Sequence, residues 1–472
     1  MQPQSHAFKD NVRTALADAN LQRALDRFKG GFAVKRKIVA DKLPEFEALR
    51  DEAKGIKDHV LANLDLYLER YEAKVVETGG TVHWARTPAE ARAIITDICR
   101  SVDAKTVTKG KSMVAEEIAL NDHLEAAGIR PIETDLGEYI IQLRKEIPSH
   151  IIAPAIHLNK EDVAKAFREA HTHRDPARPL DDGGVLVGEA RAELRERYLA
   201  ADVGITGANF LIAETGSSII VTNEGNGDLT QILPKVHIVL ATIEKVVPTL
   251  EDVSTLLRLL ARSATGQEFS VYTTLSTGPR RDADLDGPGQ YHVVLLDNGR
   301  SGMLGTEFQD MLRCIRCAAC INHCPVYAAV GGHAYGWVYP GPMGSVLTPS
   351  LVGVREAGHL PNASTFCGKC ESVCPMKIPL PKMMRHLRER EFEGALSPPA
   401  TRFGLSVWGF FARRPALYRA ATGLAMRMLG WAGRREGRFR SLPLAGGWTS
   451  VRDMPAPQGR TFQAIWAERR RG

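Results

Sequence analysis

Two cysteine runs organise this chain: CIRCAACINHCP at residues 314–325 and CGKCESVCP at residues 367–375. The first has the spacing C-x2-C-x2-C-x3-C-P, and the second has the spacing C-x2-C-x3-C-P. Thiolates at these spacings hold iron–sulfur clusters, and in two-cluster ferredoxins the fourth cysteine of a run ligates the other cluster. A structural zinc site also uses C-x2-C pairs, but it has no use for three evenly spaced cysteines followed by C-P. The runs therefore predict two iron–sulfur clusters.

Crossing the ligands in this way divides the cysteines into two unequal sets. The complete set is Cys314, Cys317, Cys320 and Cys374. The other set is Cys324, Cys367 and Cys370, with Ser364 where a fourth thiolate would stand. The first set is therefore complete, whereas the second is one thiolate short. Histidines nearby could tune a potential or supply an unusual ligand, although a surface or loop role is commoner: His323, His333, His359 and His386.

Composition places the chain among soluble globular proteins. With 472 residues, of which 44% are hydrophobic and 25% charged, we expect two or three domains. The eighth cysteine, Cys99, lies in a helical pattern and is predicted to be a core residue. No cysteines remain for a disulfide framework, which favours a reducing compartment. Because the first twenty residues lack an apolar run and residues 403–412 are too few to span a bilayer, we expect a cytoplasmic protein.

Positive charge is concentrated at one end of the chain. Residues 401–472 contain fourteen arginines, no lysine and three acidic residues, a net charge of +11, which leaves −5 for residues 1–400. Arginine interleaved with tryptophan and phenylalanine suits a partner protein or an anionic membrane surface. No nucleic-acid-binding module is evident. We therefore expect the tail to dock on partner proteins and an electron acceptor, and add peripheral contact with the inner membrane face as a further hypothesis.

Hydrophobic periodicity predicts four segments: N-terminal helices at 1–70, an α/β domain at 71–300, a helical two-cluster ferredoxin module at 301–390 and an Arg-rich region at 391–472. In the second segment, strands such as 81–85, 150–154 and 217–222 alternate with helices, which indicates a largely parallel sheet. Residues 112–128 read as one helix. The Gly/Pro-rich residues 329–349 predict a loop.

Two stretches of the α/β segment could bind a ligand. Lys109-Gly110-Lys111-Ser112 resembles the end of a P-loop, but Lys105 stands where that motif needs its first glycine. A P-loop is therefore disfavoured, and a backbone-and-lysine anion site is the interpretation left open. Polar residues also flank the predicted strand 217–222, where open α/β sheets often bind ligands. This candidate ligand loop contains Thr215, Gly216, Ser217, Asn223 and Glu224. Ordinary turn chemistry is the alternative explanation.

Longer stretches around the cysteines resemble a known family. DNGRSGMLGTEFQDMLRCIRCAACINHCPVY (297–327), GGHAYGWVYPGPMG (331–344) and CGKCESVCPMKIPL (367–380) closely resemble the lactate utilization protein B family, an iron–sulfur subunit. So do ETGSSIIVTNEGN (214–226) and the tail GGWTSVRDMPAPQGRTFQAIW (446–466). The likeness extends over most of the chain.

The resemblance implies a part in the oxidation of L-lactate to pyruvate by three cooperating proteins. It implies that the α/β segment is a lactate-utilization domain, similar to ribose-isomerase and coenzyme A transferase folds. It also implies that the complete cysteine set holds a [4Fe–4S] cluster and that the other set holds a [3Fe–4S] cluster, or a [4Fe–4S] cluster with an outside fourth ligand. Our hypothesis is an electron-transfer subunit, with a redox-sensing or ligand-binding regulator as the alternative. A dehydrogenase acting alone is disfavoured because no G-x-G-x-x-G follows a strand. No catalytic residue, lactate-binding subunit or electron acceptor is predicted.

Overall fold

The structure is a computed structural model that describes residues 4–443, 445–449 and 452–470. Its contacts divide the chain into two units, Met1–Glu391 and Phe392–Gly472. The cysteine runs and the α/β segment both belong to the first unit.

Helices open the first unit, as the sequence predicts, but there are five of them rather than the pair that the charge pattern suggests. Apolar residues three or four positions apart, such as Leu25 and Phe28, or Leu49 and Ala53, give each helix one buried face. Asp18 caps the second helix, because its carboxylate accepts hydrogen bonds from two backbone N–H groups of the first turn. The helices are α1 (Phe8–Ala17), α2 (Ala19–Lys29), α3 (Phe32–Asp41), α4 (Phe46–Ala62) and α5 (Leu64–Glu77).

Ten strands follow: β1 (Thr81–Ala85), β2 (Thr106–Gly110), β3 (Arg130–Glu133), β4 (Val203–Gly207), β5 (Phe210–Ile212), β6 (Ser217–Thr222), β7 (Val236–Thr242), β8 (Val246–Val247), β9 (Tyr272–Ser276) and β10 (Gln290–Leu296). Six form a sheet in the order β1-β10-β7-β4-β2-β3, and every pair in it is parallel. The prediction of an α/β domain with a parallel sheet is confirmed. The remaining four form a second sheet, β8-β5-β6-β9, in which only β5 and β8 are parallel.

Eight more helices lie between these strands along the chain: α6 (Pro88–Ser101), α7 (Met113–Glu117), α8 (Leu120–Ala126), α9 (Leu136–Arg144), α10 (Lys160–Ala170), α11 (Gly183–Leu199), α12 (Asn226–Ile232) and α13 (Leu250–Ala264). Their starts follow the sequence signals, because Thr87 caps α6 and both Asn159 and Thr249 form capping boxes. Cys99 is fully buried on α6, as predicted.

Two local predictions in this part of the chain are wrong. Residues 112–128 are not one helix, since Ala119 adopts a left-handed conformation (φ 50°) that separates α7 from α8. Residues 150–154 are not a strand. There the ring nitrogen Nδ1 of His150 accepts hydrogen bonds from the backbone N–H groups of Ile152 and Ala153, both at 3.1 Å, so these groups are satisfied without a neighbouring strand.

The cysteine runs lie among short helices: α14 (Ala319–Asn322), α15 (Tyr327–Val330), α16 (Gly341–Val352), α17 (Val354–Ala357), α18 (Lys369–Ser372) and α19 (Leu380–Glu393). Single 3₁₀ turns occur at Ser5–Ala7, Ile243–Lys245, Ser301–Met303, Gln309–Arg313, His333–Tyr335 and Leu360–Ala363. The prediction of a loop at 329–349 is wrong, because its second half forms α16. Pro342 occupies the first turn of that helix, where proline is tolerated, and burial of Val346 and Leu347 stabilises it.

This helical module shares its core with the rest of the first unit. The ring of Tyr327 on α15 packs edge-on against Phe28 of α2 and against His150, with centroid distances of 5.6 Å for both pairs. Its hydroxyl donates a hydrogen bond to the carbonyl of Ser149 at 2.9 Å. The cysteines are therefore held against both the N-terminal helices and the α/β domain.

The second unit contains α20 (Pro399–Ala412), α21 (Pro415–Gly433), α22 (Gly446–Thr449) and α23 (Phe462–Arg469), with a short antiparallel pair, β11 (Arg438–Phe439) and β12 (Met454–Pro455). Large apolar side chains are exposed on it, among them Phe403, Trp408 and Trp431. Within the part of the chain that the structure describes, no helix combines the length and apolarity needed to cross a membrane.

Candidate functional site

The seven cysteines of the two runs line two separate cavities. One is lined by Cys314, Cys317, Cys320 and Cys374, and the other by Cys324, Cys367 and Cys370. Their volumes are similar, about 370 and 390 Å³ with the solvent at each mouth included. The structure thus brings the cysteines together in the two crossed sets that the spacing predicts, with the last cysteine of each run in the cavity of the other.

Tight backbone turns direct the thiols into these cavities. Arg316 and Ala318 in the first run, and Phe366 and Gly368 around the second, have φ between 52° and 76°. This left-handed conformation is unfavourable for the three that are not glycine, so the surrounding packing must enforce it. The chain can then curl around a central object with several thiols facing inward.

Backbone N–H groups point at the sulfurs. The N–H group of Tyr327 donates to Cys324 Sγ at 3.5 Å. Backbone donors from Met376 and Ile378 reach Cys374 in the same way. Hydrogen bonds to cluster sulfurs are one of the means by which proteins set a reduction potential.

The thiols would be poor nucleophiles on their own. Burial raises the pKa of Cys370 to about 12, and the nearby Cys324 adds to the effect. Burial also raises the pKa of Cys374 to about 11, although hydrogen bonds from backbone donors oppose the rise. Iron binds thiolate, so a cationic iron core would deprotonate such thiols and neutralise their mutual repulsion. The donor set in each cavity therefore fits an iron–sulfur cluster.

A single metal ion does not fit these donors equally well. Four thiolates around one zinc ion, at about 2.3 Å each, would bring the sulfurs within about 4 Å of one another. Across residues 4–443, 445–449 and 452–470, no group of three or more His, Cys, Asp or Glu side chains is arranged to hold a single ion. A core of several irons separates its ligands more widely than a single ion does.

Ser364 and His323 both line the second cavity, beside its three cysteines. Ser364 Oγ accepts a hydrogen bond from the N–H group of Phe366 at 3.1 Å. His323 Nδ1 donates to the carbonyl of Ala319 at 2.8 Å. In the neutral ring, Nε2 is then the nitrogen that carries the lone pair. The structure therefore places a hydroxyl and an imidazole, and no eighth thiol, on the wall of this cavity.

The other three histidines have partners away from the cysteines. His333 donates to the carbonyl of Ile147 at 2.8 Å, and His359 bonds to the carbonyl of Ser5. His386 lies 3.3 Å from the carboxylate of Glu389. Among the described residues, none of these three lines either cysteine cavity.

Two arginines of the N-terminal helices hold the second cysteine run, a role that the sequence analysis missed. Arg50 on α4 donates to the carbonyl of Cys374 from Nε at 3.1 Å and from Nη2 at 2.7 Å. Arg36 on α3 donates to the carbonyl of Val373 at 2.8 Å. One signal was present, because Arg50 falls on the same helical face as Phe46, Leu49 and Ala53, where a solvated charge would not be expected.

A third cavity lies at the carboxyl ends of the parallel strands. It is lined by residues that follow β2 and β4, by one end of the second sheet, and by the cysteine module, and its volume is about 2460 Å³ with the solvent at its mouth included. Strands β2 and β4 are neighbours, and the chain continues from β2 to β3 on one side and from β4 to β7 on the other side of the sheet. Such a switch point is where open α/β sheets bind ligands.

The candidate ligand loop is divided between two places. Asn223 and Glu224 line this cavity. Thr215, Gly216 and Ser217 lie at the opposite end of β6, where Thr215 donates to the hydroxyl of Ser217 at 2.8 Å. A Cβ on Gly216 would lie 2.6 Å from backbone atoms of α5, so that glycine serves close packing.

The P-loop-like lysines are also divided. Lys109 is fully buried in ion pairs with Glu116 and Glu133, both at 2.6 Å, and takes no part in lining the cavity. Lys111 lines the cavity, donates to the carbonyl of Ile152 at 2.7 Å and pairs with Asp135 at 3.3 Å. Neither forms the open phosphate cradle of a P-loop.

A buried ion network joins the α/β domain to the cysteine module. The guanidinium of Arg300 pairs with Glu117 of α7 at 2.6 Å and with Glu244 at 3.2 Å. Glu117 also accepts a hydrogen bond from the hydroxyl of Tyr339 at 2.6 Å, and Glu244 pairs with Arg316 at 3.3 Å. Burial alone would raise the pKa of Glu244, but Arg300 and Arg316 outweigh it and lower the pKa to about 2.

Comparison with known proteins accounts for nearly the whole chain. Residues 68–296 match the LUD domain, residues 310–378 a 4Fe-4S dicluster domain, and residues 377–471 the C-terminal domain of lactate utilisation protein B. Lactate utilization protein B of Oceanobacillus iheyensis is 42% identical over 99% of this chain and 97% of its own length. The chain belongs to the lactate utilization protein B family. Its dicluster match makes residues 310–378 an iron–sulfur domain.

Other relatives of this lactate utilization protein B family member agree in length. The Bacillus subtilis lactate utilization protein B is 41% identical over 98% of this chain and 96% of its own. The uncharacterized electron transport protein YkgF of Escherichia coli is 39% identical over 97% and 95%, respectively. A solved DUF162 family protein from Deinococcus radiodurans is 15% identical, covers 49% of this chain and 98% of its own, and has a TM-score of 0.26.

Proposed function

We propose that this protein is an iron–sulfur electron-transfer subunit that takes part in the oxidation of L-lactate to pyruvate together with partner proteins. The observation that carries the proposal is the pair of cysteine cavities, in a chain whose full-length relatives are lactate utilization proteins. No observation favours the alternative of a redox-sensing or ligand-binding regulator.

The ligand sets follow the cavities. Cys314, Cys317, Cys320 and Cys374 would hold one [4Fe–4S] cluster. Cys324, Cys367 and Cys370 would hold the second, as a [3Fe–4S] cluster or as a [4Fe–4S] cluster whose fourth iron has a ligand other than thiolate. When bound, such clusters supply one-electron transfer. The chain itself supplies burial, the N–H donors at Cys324 and Cys374, and the arginine contacts that fix the second run.

Lactate-driven reduction tests the proposal. The purified protein and its partner proteins would be mixed anaerobically with L-lactate, and the broad iron–sulfur absorption near roughly 400 nm would be followed. Bleaching that requires both lactate and the partners supports the electron-transfer role. An unchanged spectrum, in protein with a full complement of iron, would contradict it.

Ser364→Cys is expected to supply the missing eighth thiolate. Because Ser364 lines the second cavity, a cysteine there would present its sulfur to the same site as Cys324, Cys367 and Cys370. Iron bound per chain should reach about eight, and any electron paramagnetic resonance signal of an oxidised [3Fe–4S] cluster should disappear. Ser364→Ala is the matched control and should leave iron content at the wild-type value. If the cysteine variant kept a strong [3Fe–4S] signal, the fourth position would lie elsewhere on the wall.

We further propose that the second unit contacts an anionic membrane surface near the electron acceptor. Its helices expose Phe403, Trp408, Trp431 and other aromatic rings, and its arginines outnumber its acidic residues. Interfacial helices combine these two features, an apolar face for the acyl boundary and cations for anionic headgroups. We also expect the chain to contact the other lactate-oxidation proteins.

The domain boundaries at residues 70, 300 and 390 stay a prediction.

Vesicle co-sedimentation tests the membrane contact. The full chain should sediment with vesicles rich in anionic lipid and much less with zwitterionic ones, and Arg413→Glu combined with Arg414→Glu should weaken binding at least about tenfold. Both arginines are exposed. Lys9→Glu with Arg13→Glu makes the same charge change on α1 and should have little effect. Equal binding to both vesicle types, or binding only to partner proteins, would overturn the membrane role.

A further inference from the structure

The cavity at the carboxyl ends of the parallel strands adjoins the first cysteine cavity. Ile151 and Arg316 line both. In the first run, Arg316 follows Cys314 by two residues and directly precedes Cys317. A molecule in the larger cavity would therefore sit against the wall of the first cluster site.

Lys245 contributes a buried cation to this wall. It ends the 3₁₀ turn Ile243–Lys245 that follows β7, and only 7% of its surface is exposed. Its side chain lines the cavity, and within residues 4–443, 445–449 and 452–470 its ammonium group has no hydrogen bond and no ion pair. Its favourable charge interactions are with Glu244 and Cys314, and its N–H donors remain free for an anion in the cavity.

Arg316 contributes a second unsatisfied donor. Its Nη2 pairs with Glu244 at 3.3 Å, and its guanidinium lies over the ring of Tyr339 at 5.0 Å. Its Nη1 is buried and has no hydrogen-bond partner among the described residues. The carboxylate of Glu244 is shared with Arg300, so it does not neutralise both arginines.

The local charge count is positive. The cations at or beside this wall are the buried Lys245, Arg300 and Lys57 and the partly buried Arg316, and the buried carboxylates among them are Glu117 and Glu244. The other charged residues of the cavity lie elsewhere on its lining: Lys111 is paired with Asp135, Lys35 is exposed, and Glu224 is on the segment after β6. A bound [4Fe–4S] cluster with its four thiolates would add negative charge beside these cations, so the wall offers a carboxylate free hydrogen-bond donors rather than an unpaired charge.

We propose that Lys245 and Arg316 bind the carboxylate of a small 2-hydroxy or 2-oxo acid at the wall between the strand-end cavity and the first cysteine set. The inference deepens the proposed function and rests on it, because it names this chain as the subunit that holds lactate or pyruvate. A guanidinium and an ammonium group are a matched pair of donors for one carboxylate, and both are largely removed from water, which strengthens the contact.

Equilibrium dialysis with radiolabelled L-lactate tests the site on the full chain with its clusters loaded and without partner proteins. Wild-type protein should bind one lactate per chain, and pyruvate should compete. Lys245→Met should weaken binding at least about tenfold, because a charge-assisted hydrogen bond is lost. Lys245→Arg should restore most of the affinity. Lys35→Met removes one exposed positive charge from the same cavity and should change the affinity less than about twofold.

Iron content and the cluster absorption of each variant show that the fold and cysteine sites are intact. Equal lactate binding by wild type and Lys245→Met would overturn the site, as would competition by inorganic phosphate as strong as that by pyruvate. Lactate-driven bleaching with partners but no binding by the wild-type chain alone would also overturn the site, while the proposed function would stand. Binding without any bleaching in the presence of the partners would instead overturn the proposed function.

Discussion

Cys314→Ser is expected to remove one cluster and to abolish lactate-dependent reduction. Cys314 lines the four-cysteine cavity, and a serine hydroxyl is a much poorer ligand for iron than a thiolate. The chain should lose about four irons with the matching sulfide. Reduction by lactate should fall more than about a hundredfold, since replacing even an outer-shell residue of a metal site can cost roughly 10- to 100-fold.

Cys99→Ser is the matched control for this substitution. Cys99 is buried on α6, outside both cysteine cavities, so the variant should keep its full iron and sulfide content. Iron and sulfide analysis, electron paramagnetic resonance and the absorption change on adding lactate would be compared for both variants. A Cys314→Ser protein with wild-type iron content and wild-type reduction would refute the assignment of this cysteine.

Arg300→Met is expected to destabilise the first unit strongly. Arg300 is completely buried and pairs with Glu117 and Glu244, so its removal leaves two buried carboxylates with much less compensation. Breaking a buried ion pair in this way typically costs about 3–5 kcal/mol. For a unit of this size, the midpoint of thermal unfolding should fall by about 4–6 °C. Differential scanning calorimetry would measure the change.

A surface ion pair provides the comparison. Arg258 pairs with Glu45 at 2.5 Å, and both side chains are partly exposed. Arg258→Met should lower stability by less than about 1 kcal/mol, because exposed pairs are well solvated in either state. If Arg300→Met unfolded at the same temperature as Arg258→Met, the network around Arg300 would not be what couples the α/β domain to the cysteine module.

Much of the fold could be predicted because its signals are local. Thr87, Asn159 and Thr249 begin helices through contacts within four residues, and the predicted strands 81–85 and 217–222 are both observed. The predictions failed where distant contacts or side-chain hydrogen bonds determined the conformation of the backbone. His150 satisfies the N–H groups of a segment that resembles a strand, and burial converts the Gly/Pro-rich residues after 340 into α16.

The candidate site divides in the same way. The grouping of the cysteines follows from their spacing alone, because crossed ligation is a property of the motif. Arg36 and Arg50 could not be assigned from sequence, since their partners lie more than 300 positions away along the chain. Lys245 and Arg316 are 71 positions apart in sequence and meet only because the cysteine module packs against the strand ends. In the sequence, only Arg50, on the apolar face of its helix, indicated a buried contact of this kind.

Electron paramagnetic resonance of the lactate-reduced protein tests the central claim most directly. Conversion of L-lactate to pyruvate releases two electrons, and each iron–sulfur cluster takes up one. With the partner proteins present and no acceptor, the account predicts signals from reduced clusters, at two reduced clusters per pyruvate formed, and no signals when lactate is omitted. Pyruvate formation at a normal rate with both clusters remaining oxidised would contradict it.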